Sequence, residues 1–117
     1  DGALRFLFRK RPPQGLLAGM WEFPNETLFV GESPEDAALG LAQRLGLTPP
    51  SIGLKSVAHV FSHLRVLYHP FLFSDQSAIG GGSQESWLSL EEADGVPLPV
   101  AQGKILAAAL KSLSEIR

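Results

Sequence analysis

The chain has 117 residues, of which 44% are hydrophobic, and its formal net charge at pH 7 is −2. This length and composition fit one globular domain that buries its own core, and they exclude a disordered or fibrous chain. Because the chain contains no cysteine, its residues cannot form a disulfide, supply a thiol nucleophile or ligate an iron–sulfur cluster. No apolar run approaches the roughly 20 residues of a membrane-spanning helix, and no signal-peptide pattern opens the chain.

Positive charge is concentrated at the start of the chain. The first 11 residues carry Arg5, Arg9, Lys10 and Arg11 against a single acid, Asp1, so the other 106 residues sum to −5. Such a strip is either a solvated strand edge protected by basic side chains or a surface that contacts phosphates. Taken alone, the charge pattern favours the solvated edge, because isolated basic clusters are common.

The first third of the chain predicts two strands and a helix. Aliphatic, basic and aromatic residues alternate over Leu4–Lys10 and predict a strand. A proline-containing loop, Arg11–Gly15, then leads to a brief strand within Gly19–Pro24. Ser33 is followed by a proline suited to a first helical position, and apolar residues recur at helical spacing, which predicts a helix over Pro34–Leu45.

The middle of the chain predicts a tight hairpin. After a break at Thr48–Pro50, Lys55–Phe61 and Leu64–Phe73 have the composition of strands. Only Ser62 and His63 separate the two segments, so a two-residue turn is expected between them. Because both sides of the second segment are apolar, we expect a sheet that is covered on both faces.

The last third of the chain completes an α/β domain. Its predicted elements are a flexible loop at Ser74–Ser86, a short strand at Trp87–Leu88, a helical turn at Ser89–Ala93 and a final helix at Pro99–Glu115. These elements predict a single α/β (α+β) domain over residues 1–117, with a small mixed-direction sheet and a helix on each side. The two tryptophans, Trp21 and Trp87, have aliphatic neighbours and are expected at the core or its rim.

Three segments resemble the Nudix superfamily. Gly15–Pro24 resembles the glycine-rich entry to the Nudix fold, Gly31–Ala38 resembles the start of its helix, and Gly46–Leu47 resembles the end of that helix. The resemblance covers essentially the whole chain and implies an α/β/α sandwich.

Within that superfamily, the chain resembles the C-terminal domain of the MutY family of adenine DNA glycosylases. The segments that carry this resemblance are Arg9–Pro12, Gly15–Pro24, His59–His63, Trp87–Leu88, Val96–Pro99 and Gln102–Leu106. The most diagnostic of them is the aromatic-Ser-His hairpin, which ordinary Nudix hydrolases do not generally carry.

The resemblance implies a role in base excision repair. It implies that the chain is the part of a larger glycosylase that recognises 8-oxoguanine in double-stranded DNA, where this base is mispaired with adenine. Excision of the adenine, the catalytic acids and an iron–sulfur cluster would then belong to an N-terminal domain of the same protein, a partner that is absent here. The chain itself is expected to be non-catalytic, to bind no metal or cofactor, and to work in the bacterial cytoplasm at the nucleoid.

The resemblance also suggests which residues touch DNA. Phe61, Ser62 and His63 are predicted to recognise 8-oxoguanine. Ser62 would accept a hydrogen bond through its hydroxyl or its carbonyl, Phe61 would press between bases, and His63 would support the turn or touch the backbone. The predicted phosphate contacts are Arg9, Lys10, Arg11, Lys55 and Arg65. Without the resemblance, the hairpin residues would be ordinary core, turn and surface residues.

Two other functions stay open on the sequence. A Nudix pyrophosphohydrolase needs several glutamates on one helical face to bind divalent cations, but Ala37–Leu47 contains no carboxylate. Acids are present at the start of the helix, at Glu32, Glu35 and Asp36, but acids at a helix start also serve as caps. The other alternative is an inactive Nudix domain that binds proteins. A metal site at His59 and His63 is disfavoured because no third ligand lies nearby in the sequence.

Overall fold

The computed structural model describes residues 4–74 and 85–116, which fold into seven strands and three helices within those ranges. The strands are β1 (Arg5–Lys10), β2 (Trp21–Glu22), β3 (Thr48–Gly53), β4 (Val57–Phe61), β5 (Leu64–Tyr68), β6 (Phe71–Ser74) and β7 (Glu85–Ser89). The helices are α1 (Pro34–Arg44), α2 (Leu90–Asp94) and α3 (Val100–Ile116). The elements follow the predicted order, with differences at β3, β6 and β7.

The described strands form three small antiparallel sheets, where the sequence predicted one mixed-direction sheet. They pair in the orders β2-β1-β7, β3-β6 and β4-β5. Strand β7 is longer than the predicted Trp87–Leu88, because Arg5–Arg9 of β1 supplies a full antiparallel partner for it. Most of the predicted Ser74–Ser86 loop, residues 75–84, lies outside the described residues.

The predicted break at Thr48–Pro50 is wrong, because these residues begin strand β3. Prolines cannot donate ladder hydrogen bonds and are confined to edges and irregularities of sheets. The register of β3 against β6 accordingly shifts between Thr48 and Ser51. The predicted long strand Leu64–Phe73 is likewise divided at His69 and Pro70, so that β5 pairs with β4 and β6 pairs with β3.

The core is built on β1 and α3. Phe6, Leu7 and Phe8 are buried in succession, so both faces of β1 are covered. The Phe8 side chain is fully buried and stacks on Phe23 with ring centroids 4.6 Å apart. Ala109 of α3 joins this cluster, with several half-buried leucines and Trp21 packed around it. Trp21 therefore lies at the core rim as predicted, and Trp87 is half-buried in β7.

Side-chain caps fix the starts of α1 and α2. Ser33 accepts a 3.3 Å hydrogen bond from the Asp36 N–H, and a proline follows it at the first helical position. At α2, Ser89 and Glu92 form a reciprocal capping box. None of the helices in the described ranges has the length and apolarity needed to cross a membrane.

The Phe8 ring should be one of the largest single contributors to stability. We expect Phe8→Ala to lower the free energy of unfolding by about 3–5 kcal/mol, because a fully buried aromatic side chain leaves a cavity. Phe29→Ala is the matched control, since that ring is 70% exposed, and it should change stability by no more than about 0.5 kcal/mol. Urea titration measures both values, and equal losses in the two variants would contradict this description of the core.

Candidate nucleic-acid interface

The β4-β5 hairpin presents the predicted recognition residues at its tip. Phe61 pairs with Leu64 in the ladder, which leaves Ser62 and His63 as the two-residue turn, as the sequence predicted. Both turn side chains are exposed. Ser62 has a φ of +47°, a left-handed conformation that glycine adopts easily and serine does not. The hairpin therefore holds a serine where the backbone geometry favours glycine.

The two faces of the hairpin differ in exposure. On one face the Phe61 ring is half-buried and lies against His59, with ring centroids 4.4 Å apart. On the other face Val60 is 64% exposed, and Arg65 lies directly opposite it. The Phe61 side chain is thus engaged within the hairpin rather than projecting freely from its tip.

The predicted phosphate contacts fall into two groups. The side chains of Lys10, Lys55 and Arg65 are exposed, and none of them forms an ion pair with the described part of the chain. Arg9 and Arg11 instead bind the Glu22 carboxylate, at 2.8 Å and 2.9 Å, and their side chains are only 32% and 26% exposed. The structure brings the two arginines together around an acid that the sequence reasoning did not single out.

Glu22 is the centre of this polar cluster. Its side chain is 7% exposed. Burial raises the pKa of its carboxyl group, but hydrogen bonds from Arg9, Arg11 and Asn25 outweigh burial and hold the pKa below its usual value. The sequence did contain a signal for this cluster. Glu22 lies between Trp21 and Phe23 in a predicted strand at the core rim, and a charge buried there requires partners.

The cluster extends to α3 and to the base of the hairpin. Buried Gln102 accepts a 3.0 Å hydrogen bond from the Phe23 N–H. Burial raises the pKa of the Tyr68 hydroxyl, the nearby Glu22 carboxylate raises it further, and a hydrogen bond with Gln102 acts in the opposite direction. Tyr68 is the last residue of β5. The polar cluster therefore joins β1 and β2 to α3 and to the strand that leads from the hairpin tip.

The acids near α1 do not fit the cation site of a Nudix hydrolase. Glu32 accepts a hydrogen bond from the Phe29 N–H, Glu35 accepts one from the Ser33 hydroxyl, and Glu26 pairs with Arg44. The later turns of α1 carry no carboxylate. Within residues 4–74 and 85–116, no three histidine, aspartate or glutamate side chains are grouped so that they could share a metal ion.

Comparisons with known proteins agree with this architecture. The model of the NUDIX domain family matches residues 1–108. The chain is 34% identical over 105 residues to the adenine DNA glycosylase of Mus musculus, a match that covers 85% of this chain and 20% of that protein. It is 31% identical over 115 residues to the adenine DNA glycosylase of Homo sapiens, covering 89% and 21%. The chain thus spans about a fifth of the length of these curated relatives.

Solved structures give the same fold. The C-terminal domain of mouse MUTYH, in its complex with human PCNA, aligns with a TM-score of 0.78 and 30% identity over 94% of this chain and 78% of that chain. A Nudix hydrolase from M. smegmatis, RenU, aligns with a TM-score of 0.62 and 21% identity over 98% and 76%, a likeness of fold alone. The predicted Nudix-like α+β fold is confirmed.

The Glu22 cluster makes a prediction about pH. Glu22→Gln should lower the free energy of unfolding at pH 7 by about 2 kcal/mol, because two guanidinium groups lose a charged acceptor. Since the folded-state pKa of Glu22 is depressed, its contribution is present above the usual carboxyl pKa and is lost as the pH falls through the folded value. The difference between the two proteins should therefore shrink in acid.

Urea unfolding at pH 7 and at a series of acid pH values measures this effect. Glu26→Gln is the control, because it also removes a carboxylate from an arginine, but the Glu26 and Arg44 side chains are 43% and 58% exposed. The control should lose at most about 1 kcal/mol at pH 7. A Glu22→Gln protein as stable as the wild type at pH 7 would contradict the role given to the cluster.

Proposed function

This chain belongs to the NUDIX domain family, and we propose that it is the lesion-recognition domain of an adenine DNA glycosylase that finds 8-oxoguanine opposite adenine in duplex DNA. The support is the similarity to adenine DNA glycosylases and to the C-terminal domain of MUTYH. In this proposal, another part of a longer protein excises the adenine. Any iron–sulfur cluster would also be held there, because this chain supplies no cysteine ligand.

Guanine and 8-oxoguanine differ in the hydrogen-bonding role of one ring atom, N7. In guanine, N7 is an acceptor in the major groove. Oxidation at C8 adds a carbonyl oxygen and converts N7 to an N–H donor. A protein acceptor directed at N7 is therefore satisfied by 8-oxoguanine and faces a lone pair in guanine. Leaving the hydrogen bond unmade costs about 1–3 kcal/mol, which corresponds to roughly 5- to 150-fold discrimination.

The proposal depends on the exposure and the backbone conformation of Ser62. A hydroxyl oxygen can accept the N7–H hydrogen bond, and Ser62 is exposed at the tip of a turn that joins two paired strands. The left-handed backbone at this position disfavours serine relative to glycine. A side chain that remains at such a position despite the strain is expected to have a function of its own. We therefore assign the reading of N7 to the Ser62 hydroxyl.

The neighbouring residues have supporting roles in this proposal. Phe61 stabilises the turn that follows it, because its ring packs against the His59 ring within the hairpin. The insertion of Phe61 between bases, which the sequence suggested, stays a prediction. Exposed His63 contacts the sugar–phosphate backbone beside the lesion. Lys10, Lys55 and Arg65 supply phosphate contacts, which position the domain without reading sequence.

A second candidate function is protein binding by an inactive Nudix domain. The Phe29 side chain is 70% exposed and the Val30 side chain is fully exposed. Both residues lie in a turn in which the Glu32 N–H donates a hydrogen bond to the Phe29 carbonyl. Large apolar side chains held in solvent are typical of interaction sites, and the similar MUTYH domain was solved in complex with human PCNA. The Ser62 experiment below distinguishes the two candidates. A pyrophosphohydrolase is disfavoured, because the acids near α1 do not fit a cation site and the later turns of that helix carry no carboxylate.

Two substitutions at one position test the reading of N7. Ser62→Ala removes the hydroxyl and keeps the strained backbone, whereas Ser62→Gly removes the hydroxyl and relieves about 1 kcal/mol of strain. Both variants of the full-length protein should lose most of their preference for excising adenine opposite 8-oxoguanine over adenine opposite guanine. The ratio of single-turnover excision rates on the two duplexes measures this preference.

The glycine variant also serves as the stability control, since its melting temperature should not fall. A loss of discrimination in both variants therefore cannot come from unfolding. If both variants keep the wild-type ratio, the hydroxyl does not read N7. A wild-type protein with no preference for 8-oxoguanine over guanine would leave protein binding as the better candidate.

The basic residues that contact phosphates should differ from other basic residues in their effect on the salt dependence of DNA binding. Lys10→Gln, Lys55→Gln and Arg65→Gln should each reduce the slope of log K against log salt by about one unit, because each removes one phosphate contact. Lys111→Gln, on the exposed face of α3, is the control and should leave the slope unchanged. Fluorescence anisotropy at several salt concentrations gives the slopes, and three slopes equal to the control would exclude this phosphate surface.

A further inference from the structure

We propose that the turn of residues 29–32, together with the groove between this turn and α1, is a docking surface for a basic protein segment. The segment would insert a large apolar side chain that is flanked by lysine or arginine. The inference goes beyond the proposed function and does not depend on it, because none of these residues was assigned to DNA. It is carried by the exposure of Phe29 and Val30, by the hydrogen bonds of the turn and by the charge around it.

The turn has a defined backbone shape. The Glu32 N–H donates to the Phe29 carbonyl at 3.0 Å, and the Glu32 carboxylate accepts a hydrogen bond from the Phe29 N–H at 2.7 Å. Gly31 has a φ of +90°, which suits the third position of a tight turn and disfavours any residue with a side chain. A backbone that is already ordered loses less entropy when a partner binds.

The apolar side chains of this turn do not serve the core. Phe6, Phe8 and Phe23 pack together in the core cluster, whereas Phe29 is exposed and the adjacent Val30 is fully exposed. Exposed apolar side chains that are grouped together are typical of interaction sites, and phenylalanine is enriched at protein–protein interfaces. The pair is therefore suited to contact an apolar side chain of a partner.

An open groove beside the turn provides room for the flanking residues of such a partner. It has a volume of about 380 Å³ and lies between the turn and α1. Two of its lining residues are Gly31 and Gly40, which have no side chains to fill it. The charged residues that line it are Glu26, Glu32, Asp36 and Arg44.

The charge of this surface favours a basic partner. Residues 25–44 sum to −3, because Arg44 alone opposes four acids, namely Glu26, Glu32, Glu35 and Asp36. Arg44 pairs with Glu26. The acceptors Glu32 and Glu35 bind the uncharged Phe29 N–H and Ser33 hydroxyl, which do not neutralise them. A lysine or arginine beside the apolar anchor would complement these carboxylates.

The same charge argues against nucleic acid as the occupant. Phosphates placed against a surface of net negative charge are repelled, and the first 11 residues, which sum to +3, offer DNA a surface of the opposite sign. The domain can therefore hold a duplex through its basic residues while a basic protein segment occupies the acidic surface. Docking should accordingly leave the affinity for DNA unchanged.

Peptide selection tests the chemistry of the partner. Random peptides displayed on phage are selected in parallel on the full-length wild type and on its Phe29→Ser variant. Peptides enriched on the wild type alone should combine a leucine or an aromatic residue with neighbouring lysine or arginine. The most enriched of them, labelled with fluorescein, is the probe for anisotropy titrations. The inference is overturned if no peptide is specific to the wild type, or if the specific peptides are acidic.

Two further variants locate the bound probe. Val30→Ser should raise its Kd about tenfold, because an apolar contact is lost. Glu32→Gln keeps an acceptor for the Phe29 N–H but removes the charge, so it should raise the Kd about threefold. The matched controls are Val100→Ser on α3 and Glu91→Gln on α2, which change an exposed valine and an exposed acid outside this surface. Both controls should bind the probe as the wild type does, and all four melting temperatures should match.

The outcome is separable from that of the proposed function. Val30→Ser should keep the wild-type Kd for duplex DNA and the wild-type excision ratio between 8-oxoguanine and guanine. If it weakens duplex binding instead, DNA occupies this surface and the inference is overturned. It is also overturned if the control variants weaken the probe as much as Val30→Ser and Glu32→Gln do. The reading of N7 is tested independently, on the excision ratio of the Ser62 variants.

Discussion

A buried carboxylate between two guanidinium groups is the constraint on which the proposed interface depends. Removing Glu22 from water is unfavourable by several kcal/mol, and that loss is offset only because Arg9, Arg11 and Asn25 direct donors at it. Arg9 lies in β1, Arg11 follows it directly and Glu22 lies in β2, so these hydrogen bonds tie the two paired strands together. Through Gln102 and Tyr68 the same cluster reaches α3 and the end of β5. The position of one acid thus relates four elements to one another.

This arrangement divides the basic residues by role. Two arginines of the first strip, Arg9 and Arg11, neutralise Glu22, whereas Lys10, Lys55 and Arg65 remain exposed to solvent. A domain of formal charge −2 can therefore carry a local positive surface, because its acids lie elsewhere, notably at Glu32, Glu35 and Asp36 near the start of α1. Such a surface orients a protein on DNA without fixing its sequence preference. In this account, preference for the lesion comes from a single exposed hydroxyl.

Local signals made much of the fold predictable. Ser33 and the proline after it marked the start of α1, and two residues between β-like segments marked the β4-β5 turn. Features that depend on distant partners could not be read from the sequence. Strand β3 forms despite its prolines because β6 lies beside it, and β7 extends because β1 pairs along its full length. The Arg9–Glu22 pair spans 13 positions, and the φ of Ser62 is a property of the closed hairpin.

The most direct test of the account is the distance from Ser62 to the lesion. A crystal structure of the full-length protein bound to a duplex with 8-oxoguanine opposite adenine would measure the separation between the Ser62 Oγ and N7 of the damaged base. A hydrogen bond of about 2.7–3.2 Å is expected between these two atoms. A Ser62 hydroxyl that faces solvent in such a complex, with another residue bonded to N7–H, would contradict it.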